Sequence, residues 1–216
     1  YRKNGTPFWN NLSLAPVRND DGMVTHYVGI LDDISERKDY EARLSFQASH
    51  DTLTGLANRM LFEQQLQHGV QLARRYNRQL AVLFVDLDDF KPINDSLGHD
   101  VGDKVLIEIG QRLAARLAPG DTLARFGSDE FVILLPDLTR EEEAIRLVES
   151  LLTCVRAPCR VGKHELYVGA SVGIAFLDKA LENPVELIQQ ADMAMYRAKQ
   201  KGRNAWECFT HEINDE

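Results

Sequence analysis

Apolar and polar positions along the chain fall into blocks of different period. Phe8 to Val17 and Met23 to Leu31 read as two strands joined by the turn Asn19-Asp20-Asp21-Gly22, which predicts a β-hairpin. A lone hairpin is marginal in water, so this one needs the rest of a sheet. Residues 35–49 are charged, lack Gly and Pro, and carry a thin apolar stripe of Tyr40, Leu44 and Ala48. They predict a connecting helix and give little support to a coiled-coil seam. From His50 the texture changes. Asn58 is placed to cap a helix running to Tyr76, and the continuous apolar run 80–86 predicts a short buried strand. Asp100 is placed to cap a helix with Val101, Val105, Ile109, Leu113 and Leu117 on one face, ended by Pro119-Gly120. A hairpin follows, Thr122–Phe126 and 131–136, around Gly127-Ser128-Asp129-Glu130. Beyond it come a helix at 139–156, a strand-rich stretch at 159–177, a helix opened by Pro184 and stopped by Gly202, and a short strand at 204–209. The order predicts an α+β domain with a mainly antiparallel sheet.

Composition narrows the function classes. The 216 residues are 44% hydrophobic and 27% charged, which excludes wholesale disorder. A domain of ~170 residues buries roughly 70% of its unfolded surface and needs no disulfide or metal to hold a core. Lys and Arg total 25 against 33 Asp and Glu, a formal charge of -8. No basic stripe is visible, so nucleic acid is not expected as a partner; a small anionic ligand held at a few points still fits. Cys154, Cys159 and Cys208 have no C-x-x-C spacing, and the six histidines form no H-x-x-x-H. Free thiols of a reducing compartment are expected, without zinc. No apolar run approaches the ~20 residues of a membrane span, so no membrane contact is expected of this segment. The expected location is cytoplasmic, in a parent protein free to carry spans elsewhere. The chain has no initiator Met, no signal-peptide core, and starts as if inside a strand. It is expected to be a piece of a longer protein.

Three constellations carry candidate chemistry. In Asp86-Leu87-Asp88-Asp89-Phe90-Lys91 a buried strand delivers Asp86 to its end and two more acids follow. Carboxylates at this density repel one another unless solvated or neutralised by cations, and hard oxygen donors suit Mg²⁺. The turn's N–H groups can face an anion. The alternative is that Asp88 or Asp89 caps the next helix. In Arg125-Phe126-Gly127-Ser128-Asp129-Glu130-Phe131, two acids sit at a hairpin tip. If Asp129 faces Asp86 across neighbouring strands, the pair makes the metal seat that phosphoryl or nucleotidyl transfer requires; the alternative is a plain turn. Lys199 and Arg203 flank Gly202. They either complement a helix dipole or reach a polyphosphate.

Together these motifs resemble the GGDEF family, the diguanylate cyclases. His50-Asp51-Thr52-Leu53-Thr54-Gly55-Leu56-Ala57-Asn58-Arg59 is similar to its D-x-L-T-G-L-x-N-R motif. Asp86 to Lys91 with Asn94-Asp95 matches D-x-D-x-F-K-x-x-N-D, and 98–103 match G-H-x-x-G-D. Gly127 to Phe131 stands at the signature, and 191–204 resemble A-D-x-A-L-Y-x-A-K-x-x-G-R-N. The resemblance covers about 46–209. It implies a palm-like α+β domain in which two GTP-bound copies meet head to head as a homodimer. Each 3′-hydroxyl would attack the α-phosphate of the other GTP, giving cyclic di-GMP and two pyrophosphates. It implies Mg²⁺ (or Mn²⁺) on Asp86, the Leu87 carbonyl and Asp129, with Asp88 and Glu130 assisting. Backbone N–H groups from Asp89 through Phe90 to Lys91, with Lys199 and Arg203, would hold the phosphates. Asn94 and Asp103 would read the guanine edge, and Gly127 and Ser128 would lie beside the nucleotide.

Two departures qualify the resemblance. The second glycine of the signature is Ser128, which adds a Cβ and a hydroxyl beside the nucleotide. The family's inhibitory R-x-x-D is Ala118-Pro119-Gly120-Asp121 here, so the arginine is gone, Asp121 is a remnant, and no product inhibition is expected through it. Residues 1–34, with Asp32-Asp33-Ile34-Ser35-Glu36-Arg37, resemble the closing strands of a PAS sensor domain. The expected organisation is therefore 1–34 incomplete PAS, 35–49 linker helix, 50–209 GGDEF domain and 210–216 a tail resembling a linker to an EAL phosphodiesterase. Two rival readings exist: a GTP-binding regulatory module that tunes an EAL domain without condensing GTP, and a dimerisation relay through 35–49.

Overall fold

The computed structural model describes residues 3, 5–178 and 180–210. Of the tail 210–216, only Thr210 is among them. The chain divides into two units, 1–48 and 49–216.

In the first unit β1 (Asn10–Arg18) pairs antiparallel with β2 (Val24–Asp33). Their turn closes where Asn19 Oδ1 accepts the Met23 N–H at 2.9 Å and the Asn19 carbonyl accepts the Gly22 N–H at 2.9 Å. Both strands are exposed, Trp9, Leu12, Leu14, Tyr27 and Ile30 included, as a hairpin carrying a sheet's worth of apolar side chains requires. Helix α1 (Ser35–Ser49) follows and buries none of its residues.

The second unit is built on one sheet. Helix α2 (Arg59–Tyr76) starts at Asn58, whose Oδ1 accepts the Leu61 N–H, and ends at Asn77 in the left-handed region. Then come β3 (Gln79–Asp88), α3 (Phe90–Leu97), α4 (His99–Ala114), β4 (Thr122–Arg125), β5 (Glu130–Leu138) and α5 (Glu141–Arg156). After the small hairpin β6 (Cys159–Val161) and β7 (His164–Leu166), the chain closes with β8 (Gly169–Phe176), α6 (Glu186–Gln200) and β9 (Trp206–Cys208). The strand order is β4-β5-β3-β8-β9. All its pairings are antiparallel except β8 with β9, so the expected α+β, mainly antiparallel fold is observed.

Strand periodicity decides what faces what. Ala81, Leu83, Val85 and Leu87 of β3 enter one core, with Phe131, Ile133, Val172 and Ile174 from its neighbours. Leu80, Val82 and Phe84 enter the other, with Val132, Leu134 and Ala175, against Leu187, Ile188, Ala191 and Met195 of α6. Alternate side chains leave opposite faces of a strand. The series of Leu80, Val82 and Phe84, with its partners on β5 and β8, therefore brings Asp86, Asp88, Glu130 and Ser171 to the α6 face, at one end of the sheet. Helix α6 lies close there because position 173 is glycine: a Cβ would overlap the Ala191 carbonyl and the Met195 nitrogen.

Three boundaries differ from expectation. Asp100 does not cap α4. Gly98, at φ 87°, takes the cap position and Asp100 lies in the first turn, where a carboxylate still complements the dipole. The helix ends at Ala114 rather than Leu117, because the chain turns through 115–117 before Pro119. Pro184 precedes α6 by two residues and contributes its carbonyl to the Leu187 N–H.

Candidate functional site

The site forms where β3, β5 and α6 meet. Asp86 lies directly opposite Glu130 on β5 and Ser171 on β8. The Leu87 N–H donates to the Asp129 carbonyl at 3.0 Å, so Asp129 stands next to Asp86 across neighbouring strands, as its spacing requires. Like charges facing each other across a ladder are destabilising, and Lys199 on the last turn of α6 answers them. Its Nζ lies 2.6 Å from Asp86 Oδ1. That contact is a charge-assisted pair of a buried carboxylate oxygen with an ammonium. Burial pushes the Asp86 carboxyl above its usual range; Lys199 opposes this, and Asp129 and Asp88 add to it. Glu130 is raised by burial first, then by Asp86, Asp129 and Asp192, with Lys199 opposing. A site that makes its carboxylates costly to ionise is one built for added positive charge.

The donors fit a hard divalent cation. Two carboxylates, Asp86 and Asp129, stand beside the Leu87 peptide, oxygen donors of the kind a hard cation takes. No cluster of three or more His, Cys, Asp or Glu set to hold a metal occurs among the described residues. A cation here would complete its shell with a carbonyl, water or phosphate, as Mg²⁺ commonly does.

Other candidates take different parts. Asp88 Oδ1 accepts the Ser171 hydroxyl at 2.7 Å and its Oδ2 the Asn204 N–H at 2.8 Å, one hydrogen bond on each oxygen, which leaves each a further lone pair. Neither it nor Asp89 caps α3: Asp89 holds the cap position at φ 54° without a side-chain cap bond. The Phe90 ring is buried in the core, so only its backbone is available to a ligand. Lys91 is exposed. Arg203 is exposed and lies 3.8 Å from Asp89, a contact of little energetic weight. Asn94 on α3 and Asp103 on α4 are half-buried. Gly102 lets the Asn94 amide lie against α4, since a Cβ there would overlap its oxygen. Ser128 Oγ donates to Asp129 Oδ1 at 2.5 Å, so the departing signature residue bonds to a candidate metal ligand. Asp121 Oδ2 accepts the Ala118 N–H at 2.8 Å and is spent on its own turn.

One connection escaped the sequence reading. Arg125 Nη1 bridges both oxygens of Asp51 at 3.1 and 3.2 Å, while Nη2 donates to the Ser128 carbonyl at 2.9 Å. The first motif thus pins the signature hairpin. An arginine at the end of a buried strand, two residues before a tight turn, was the available signal.

Comparison with known proteins identifies the family. The family model described as "Diguanylate cyclase, GGDEF domain" matches residues 48–205. A PAS domain model matches residues 1–36. The chain belongs to the GGDEF family of diguanylate cyclases. It is 42% identical over 167 residues to the bifunctional diguanylate cyclase/cyclic di-GMP phosphodiesterase MucR of Pseudomonas aeruginosa, covering 77% of this chain and 24% of MucR. It is 40% identical over 179 residues to the diguanylate cyclase TpbB of the same organism, covering 82% of this chain and 41% of TpbB. The solved GGDEF domain of TpbB superposes with a TM-score of 0.73 at 38% identity, covering 76% of this chain and 96% of that one. The chain thus spans less than half the length of these two curated relatives. No helix among the described residues is long and apolar enough to cross a membrane.

Proposed function

We propose that residues 49–216 condense two GTP molecules into cyclic di-GMP and two pyrophosphates, working as a homodimer gated by the upstream PAS segment. The observation that carries this reading is the meeting of Asp86, Asp129 and Lys199 at one sheet end. Asp103 would accept the N1–H and N2–H₂ of guanine, an arrangement that adenine cannot satisfy. Asn94, held against Gly102, would complete that edge. Lys199 neutralises Asp86 in the free protein and would lend its charge to the phosphates in the complex, together with Arg203 and the N–H groups of 89–91. When bound at Asp86, Asp129 and the Leu87 carbonyl, Mg²⁺ (or Mn²⁺) supplies Lewis-acid activation of the attacking oxygen and charge neutralisation. Glu130, opposite Asp86, would tune that seat.

The second reading, a regulatory GTP-binding module attached to an EAL domain, is favoured by the Ser128–Asp129 hydrogen bond, which occupies a lone pair of a candidate ligand. The bifunctional relative MucR makes an EAL neighbour a natural partner. The purified chain at high concentration, given GTP and Mg²⁺, separates the two. Cyclic di-GMP detected by mass spectrometry and abolished by Asp129→Ala supports the cyclase. GTP binding without product supports the regulatory module.

A further inference from the structure

Asp88 is 7% exposed, lies in a motif with two other acids, and accepts a hydrogen bond on each oxygen from Ser171 and Asn204. What it holds is the turn after α6. Gly202, Arg203 and Asn204 follow one another at φ 123°, 63° and 48°. Left-handed backbone is disfavoured for residues with a side chain, and it persists where surrounding contacts fix it. Here the contacts are specific. Asp88 accepts the Asn204 N–H, while Ser171 braces its other oxygen. Arg156, from the end of α5, donates Nε to the Asn204 side chain at 2.5 Å and Nη2 to the Asn204 carbonyl at 3.0 Å. The Arg203 N–H returns to the Ala198 carbonyl at 3.2 Å, tying the turn to the helix that bears Lys199. The Arg203 side chain itself is exposed, and among the described residues its ion pair is the long Asp89 contact. Its direction is therefore set by the backbone beneath it.

We propose that Asp88 and Arg156 are positioning residues that hold this turn so that Arg203 meets the nucleotide phosphates. The inference rests on the GTP-binding reading above. The test measures binding of mant-GTP with Mg²⁺ to the full chain, with Asn204 amide exchange followed in parallel. Asp88→Ala and Arg156→Ala are each expected to weaken binding about ten-fold, the scale of losing a charged hydrogen bond, and to speed Asn204 exchange. Asp88→Asn is expected to stay within about three-fold of wild type. Its carbonyl still accepts the Asn204 N–H and its amide can donate to Ser171. An Asp88→Asn variant as weak as Asp88→Ala would overturn the inference by making the charge the operative feature. Unchanged affinity in both alanine variants would overturn it while leaving the GTP reading intact. Arg156 is exposed on α5, so its variant keeps the test decisive if Asp88→Ala fails to fold. A wild-type chain that binds no mant-GTP would remove the GTP reading and this inference with it.

Discussion

Cutting the link between Asp51 and Arg125 should loosen the signature hairpin and cost measurable stability. Asp51 Oδ1 accepts the Thr54 N–H at 2.8 Å, the Thr54 hydroxyl at 2.6 Å and Arg125 Nη1 at 3.1 Å. Its side chain is 22% exposed and that of Arg125 is 11%. Hydrogen bonds to charged groups contribute about 1.5–3 kcal/mol each when unscreened. Partial exposure and the strain-free loss of Thr54's local bonds reduce the sum, leaving about 2–3 kcal/mol for Asp51→Ala. Arg125 then keeps only the Ser128 carbonyl, and its Nε already has no partner. For a domain of this size such a loss lowers Tm by roughly 5–10 °C. Urea unfolding followed by Trp206, which stands in β9, in a Trp9→Phe background reports on this unit alone. A double-mutant cycle with Arg125→Ala should give a coupling of about 1 kcal/mol or more. An Asp51→Ala variant within about 0.5 kcal/mol of wild type, the scatter of surface substitutions, would refute the reasoning.

Three further outcomes are expected. Burial works against ionised Asp51, but Thr54 and Arg125 together hold its carboxyl below the usual carboxylate range; its contribution is present above the unfolded pKa and lost as pH falls through the lower folded pKa, so the stability gap between wild type and Asp51→Asn should narrow as acid titrations of unfolding pass below about pH 4. Ser128→Gly frees Asp129 from the hydroxyl and should raise kcat by up to about 100-fold, the cost of small misplacement of reacting atoms; an unchanged steady-state rate would mean that the serine is tolerated. Gly173→Ala forces α6 off the sheet, and should destabilise the unit by at least about 1–3 kcal/mol and weaken GTP binding through displacement of Lys199, both read by thermal shift with and without nucleotide.

Much of the fold was legible because its signals are local. The unbroken apolar run of β3 announced a strand buried on both faces, and Asn58 announced the start of α2. The limits of α4 were less readable, since Gly98 and Asp100 both satisfy a helix start and only the backbone decides. Among the candidate residues, Asp86, Asp129 and Lys199 come together as their motifs suggest. Asp88 accepts hydrogen bonds from Ser171 on β8 and Asn204 after α6. Neither partner is near it in sequence, and no pattern of spacing reports a contact across 83 or 116 positions. Ser171 could have been suspected: it is a buried polar residue on the α6-facing series of an otherwise apolar strand.

The most direct test of the account is the product balance of the wild-type chain with GTP and Mg²⁺ across a range of protein concentrations. The account predicts cyclic di-GMP and pyrophosphate in a ratio of one to two, a specific rate that rises with protein concentration as two half-sites meet, and loss of both products in Asp86→Ala. GTP that remains intact at every concentration, or pyrophosphate released without cyclic di-GMP, would contradict it.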